Sequence, residues 1–75
     1  MKATVIVTLK PTVLDPQGMT IHRSLASLGL TDVADVRQGK IFHVQLKEGR
    51  RDQVEKLAKE VLTNPVIEEY RILWE

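Results

Sequence analysis

From Lys2 to Lys10 the chain alternates. Ala3, Val5, Val7 and Leu9 fall on one face and Thr4, Ile6 and Thr8 on the other. That alternation predicts a β-strand with one apolar face and one mixed face. Pro11 ends it, because proline has no amide to give to a ladder. The period then changes. Ile21, Leu25 and Leu28 recur at spacings of four and three, the stripe of an amphipathic helix. Asp15 suits its N-cap and Pro16 its first position. Gly29 suits a left-handed C-cap, with Leu30 folding back onto Leu25. Val33 to Lys47 reads as two strands joined by a turn at Gln38-Gly39-Lys40, the second strand carrying Phe42, Val44 and Leu46 in phase. After Glu48-Gly49-Arg50, a second helical stripe runs through Val54, Leu57, Ala58 and Val61. Its far side pairs Asp52 with Lys56 and Glu55 with Lys59. Asn64-Pro65 stops it. Val66 to Trp74 closes the chain as a strand. Val66, Tyr70, Ile72 and Trp74 are in phase, Glu68 is out of character, and Ile67 and Leu73 lie on the reverse face.

The order is strand, helix, strand, strand, helix, strand. "VTLK" before the first helix echoes "VQLK" before the second, and "VADVRQ" echoes "IEEYRI". Two β-α-β halves predict an α+β, βαββαβ two-layer sandwich of ferredoxin-like type, with a four-stranded antiparallel sheet and two helices on one face. Residues 1–75 form one domain. The bare face of the sheet would carry Ile6, Ile67 and Leu73, and such a face suits a second copy or another protein.

Composition narrows the function. A core of 75 residues is marginal without a staple. There is no cysteine, so disulfides and thiolate metal sites are excluded. The two histidines, far apart in sequence, make a poor metal set. The missing staple is therefore expected to be another chain. A formal charge of +1 gives no general attraction to nucleic acid or to an anionic membrane. Phe42, Tyr70 and Trp74 are too scattered for a base-stacking platform. No apolar run approaches the ~20 residues of a membrane span, and Met1-Lys2 leads straight into a strand with no leader pattern. The expectation is a cytoplasmic chain that binds neither nucleic acid nor membrane.

No nucleophile–base set is visible. Ser24 and Ser27 have no base nearby in sequence, and His22 and His43 lack an orienting carboxylate motif. Arg37 to Lys40 is not a phosphate loop, since it has one glycine and lies between strands. It reads as a hairpin turn with basic ends, of which Arg37 could hold a carboxylate or phosphate at two points. Arg50 and Arg51 sit unfavourably at a helix N-terminus. Glu68 and Glu69 read as outward edge positions or an intersubunit pair. The oddest stretch is Asp15-Pro16-Gln17-Gly18, where a glycine costing ~1 kcal/mol against alanine interrupts a well-capped helix start. A backbone packing closely against Gly18 would explain it.

Taken together, "LKPTVLDPQG" (Leu9 to Gly18), "SLASLGL" (Ser24 to Leu30), "VADVRQGK" (Val33 to Lys40) and "NPVIEEYRI" (Asn64 to Ile72) resemble PurS, the family of small subunits of phosphoribosylformylglycinamidine synthase. The resemblance covers nearly the whole chain. It implies a non-catalytic assembly subunit in de novo purine biosynthesis, bridging a glutaminase subunit and a synthetase subunit and supporting ammonia transfer between them. It also implies a homodimer or homotetramer. No cofactor is expected on this chain alone, ATP and magnesium being used by the complex, a glutamine-dependent C–N ligase. The candidate partner contacts are Leu9, Lys10, Pro11, Asp15, Pro16 and Gly18 in the loop and helix start, and Arg37, Gly39 and Lys40 in the turn.

Other classes share the predicted fold. One is a small-molecule-sensing regulatory domain that pairs through its sheet, supported by fold analogy alone. Another is an acylphosphatase-like enzyme, which wants an arginine in the loop after the first strand, where this chain has "PTVLDPQG".

Overall fold

A computed structural model describes residues 1–75. Three strands form one antiparallel sheet: β1 (Lys2–Leu9), β2 (Gly39–Gln45) and β3 (Glu68–Trp74), in the order β2-β1-β3. Two helices intervene, α1 (Pro16–Leu25) and α2 (Arg51–Leu57). The first strand is central because both edges of its backbone find partners: Val5 stands opposite Phe42 on one side and Ile72 on the other.

The alternation in β1 produces the core. Ala3, Val5 and Val7 are buried beneath Val54 and Ala58 of the second helical segment. Phe42, Val44, Leu46, Leu62, Ile72 and Trp74 pack around them and stay partly exposed. The reverse face of the sheet carries Ile6 and Leu73, as expected, and also Ile41, which stands opposite Ile6 and is exposed. Ile67 falls just outside β3 instead, where its carbonyl accepts the Lys10 amide at 2.9 Å.

Helix α1 begins where the sequence placed it. The Asp15 carboxylate accepts the Gly18 amide at 2.9 Å and Pro16 opens the helix. Its end tightens into a 3-10 turn, Ala26–Leu28, and Gly29 adopts φ 75°. The Leu30 amide reaches back to the Leu25 carbonyl at 3.1 Å, the long hydrogen bond of a Schellman stop.

Three expectations are corrected. The sheet has three strands, not four: Val33 to Gln38 is irregular, and Gln38-Gly39-Lys40 is no hairpin turn, since β2 starts at Gly39. Residues 36–38 are instead held against the start of α1, so they are not free to fold back along β2. The two helices do not share one face of the sheet either. No residue of α1 belongs to the core cluster, and the helix leads away from the sheet together with residues 26–38 as an arm. Finally, Val61 leaves the second helical stripe. Ala58–Leu62 forms a π turn, whose wider spacing brings Leu62 to the core and leaves Val61 71% exposed.

The result is an extended chain. Its radius of gyration is 15.7 Å and its extents are 49 × 25 × 13 Å, where a compact domain of this length would have a radius near ~11 Å. No helix is long and apolar enough to cross a membrane.

Candidate functional site

The candidate residues meet where the arm leaves the sheet. Asp15 is the centre of this joint and is 4% exposed. One carboxylate oxygen caps α1 through Gly18; the other accepts the Gln38 amide at 2.7 Å. These two backbone donors, first Gln38 and then Gly18, hold the carboxyl below its usual range, with the Arg37 guanidinium adding to the effect against the cost of desolvation. Gly18 is also buried, and a Cβ there would collide with the carbonyl oxygen of Val36. The glycine inside the helix start is thus accounted for by a close backbone, one belonging to the same chain.

Further ties run from this joint to the end of β1. The Arg37 guanidinium donates to the Lys10 carbonyl at 3.1 Å, and Lys10 Nζ donates to the Pro65 carbonyl at 2.8 Å. The Gln38 side-chain amide donates to the Gln17 side-chain oxygen. Lys40 Nζ lies 3.5 Å from a Glu68 oxygen whose fellow accepts the Asn64 amide at 2.8 Å. Glu68 therefore faces inward and is paired within the chain, unlike the outward role expected of it. Gly39 sits close to the Val7 carbonyl and the Thr8 methyl.

Between α1 and the sheet these residues leave a cleft of about 430 Å³. It is lined by Leu9, Asp15, Pro16, Gly39 and Lys40 of the candidate set, with Val7, Gln17, Gln38 and Glu68. Pro11 is exposed on the loop outside it. The candidate contacts did not include Gln17, Val36 and Gln38, although Gln17 and Gln38 lie within the two stretches the sequence singles out. Gln17 and Gln38 carried no signal beyond polarity, and Val36 acts through its carbonyl, which any residue would supply.

Of the groups considered for catalysis, His22, Ser24 and Ser27 are engaged locally, while His43 lies exposed on β2 opposite Thr4. His22 Nε2 lies 2.8 Å from the Val33 carbonyl. The Ser24 and Ser27 hydroxyls donate to the carbonyls of Ile21 and Ser24. Arg50 binds Asp52 through two hydrogen bonds of 3.3 Å, and Arg51 lies 5.1 Å above the Trp74 ring. Those contacts explain two cations at a helix start without a ligand.

A family model described as PurS, phosphoribosylformylglycinamidine (FGAM) synthase, matches residues 2–75. The chain belongs to the PurS family. It is 41% identical over 75 residues to the phosphoribosylformylglycinamidine synthase subunit PurS of Methanocaldococcus jannaschii, covering 95% of this chain and 90% of that one. It is 40% identical over 73 residues to the Bacillus subtilis PurS, covering 93% and 87%. Among solved structures, B. subtilis PurS superposes with a TM-score of 0.87 at 36% identity, over 96% of this chain and 94% of that chain. A chain of the PurLQS structure from Thermotoga maritima superposes with a TM-score of 0.80 at 36% identity, over 96% and 93%.

Proposed function

We propose that this chain is the non-catalytic assembly subunit of phosphoribosylformylglycinamidine synthase in purine biosynthesis. It holds the glutaminase and synthetase subunits in register so that ammonia passes between them. One observation carries the assembly role. The chain exposes 5808 Å², whereas a compact chain of this mass would expose roughly 4,700 Å². The excess of about 1,100 Å² is on the scale of one partner's share of a stable interface, ~800 Å². Holding the two active sites together confines the reactive intermediate, and proximity of that kind is worth several kcal/mol. The complex uses ATP and magnesium on its synthetase side and works in the cytoplasm.

Part of the excess surface fits a second copy of the chain. Phe42 and Val44 share the core face with Val5 and Ala3, yet no second helix of the same chain covers them. The α1 arm carries the complementary stripe, with Ile21, Leu28, Leu30 and Val33 exposed. The outer edge of β2 has no neighbour, and residues 33–38, which run irregularly into β2, have no sheet partner. A homodimer that exchanges arms would lay α1 of each copy over Phe42 and Val44 of the other. It would also add residues 33–38 to the free β2 edge, completing the four-stranded, two-helix layer the sequence predicts.

The function is tested by reconstitution. Synthetase and glutaminase without this chain should lose glutamine-dependent turnover while keeping ammonia-driven turnover. Equal loss of both would point to a direct role in the synthetase site.

A further inference from the structure

We infer that the Asp15–Gly18 joint is an orienting device that keeps the lead-in to β2 from folding back as a hairpin, and so commits the chain to exchange its arm. The inference rests on the arm-exchanged homodimer proposed for this chain.

Gln38-Gly39-Lys40 has the composition of a tight turn, and a short link between two strands decides between a closed monomer and an exchanged dimer. Something must therefore oppose closure. In a closed hairpin Arg37 would stand beside Ile41 and Val36 beside Phe42, both away from the start of α1. Three contacts of the open form would have to break. The Gln38 amide would leave the Asp15 carboxylate, now 2.7 Å away. The Val36 carbonyl would leave the space that the missing Gly18 side chain provides. The Arg37 guanidinium would leave the Lys10 carbonyl, now 3.1 Å away.

The contacts form a chain of command over direction. Asp15 uses both carboxylate oxygens, one on α1 and one on the β2 lead-in. It thereby fixes the first turn of the helix to residue 38 as one body. Arg37 fixes that body to the end of β1. No contact with the core cluster holds the arm, so its direction rests on this joint and on the chain's own links to β1 and β2.

The absence of cysteine makes the test clean. Spin labels on Arg23→Cys, in the arm, and Lys56→Cys, on α2, report the arm's position when labelled chains are diluted into unlabelled ones. Sedimentation reports pairing. With the natural joint, one narrow long distance and a dimer are expected. Asp15→Ala and Gly18→Ala should each add a second, shorter distance and weaken dimerisation at least tenfold, with Asp15→Asn intermediate. Circular dichroism checks folding, and if Asp15→Ala does not fold, the other two variants decide. Folded variants that keep the single long distance overturn the inference. A natural chain that sediments as a monomer while showing the long distance overturns the pairing and leaves the joint to be judged by the variants' distances. A natural chain with the short distance overturns both.

Discussion

Gly39 faces the Val7 carbonyl across the ladder between β1 and β2, and a Cβ on it would stand 2.8 Å from that oxygen. The glycine that reads as a turn residue is needed instead for close approach, and its φ is not positive. Gly39→Ala should therefore destabilise the sheet by about 1–3 kcal/mol, as overpacking does. Chemical denaturation monitored by circular dichroism checks this; an unchanged midpoint would show that Val7 and Thr8 yield freely.

Asp15 gives a pH dependence with a definite sign. Its carboxyl is held below its ordinary value by the Gln38 and Gly18 amides, so its contribution to stability is fully present above the unfolded value of about 4. It is lost as pH falls through the lowered native value. Acid titration of the natural chain should show a steeper loss of stability below pH ~4 than that of Asp15→Asn, which keeps only the part due to other lowered carboxyls such as Asp52. Parallel curves for the two would remove Asp15 from the account.

The π turn separates two neighbouring side chains. Leu62 packs against the core while Val61 is 71% exposed. Leu62→Ala should cost about 2 kcal/mol, whereas Val61→Lys should stay within ~0.5 kcal/mol. A uniform helical register would reverse the order, which thermal unfolding of the two variants resolves.

Thr63 ends that turn, 7% exposed, with a hydroxyl that meets no hydrogen-bond partner. An unsatisfied buried hydroxyl costs about 1–3 kcal/mol. Thr63→Val keeps the shape and should raise the unfolding midpoint by several degrees. A lowered midpoint would mean the hydroxyl is satisfied.

The sequence disclosed most of what depends on local chemistry. The caps of α1 at Asp15 and Gly29, the buried face Ala3-Val5-Val7 and the stop at Asn64-Pro65 all arise from neighbouring residues. The concealed part depends on distant ones. Residues 33–36 have a strand-like pattern that the single chain leaves unpaired, because Asp15 and Gly18 hold residues 36–38 against α1. Nothing in "VRQGK" distinguishes a turn from a straight run. That choice is made some twenty residues upstream, by one carboxylate and one missing side chain. The π turn was equally hidden, since Val61 and Leu62 are both apolar and only packing shows which one faces inward. The Asp15–Gly18 oddity was legible as a close approach, although the approaching backbone came from the chain itself.

The extended shape has a consequence for the cell's accounting of subunits. Only 8 of 75 residues are buried in the lone chain, so a copy without neighbours offers proteases an easily opened substrate. Copies made beyond the supply of their partners should then be the first degraded, so that turnover would help keep the subunits in proportion.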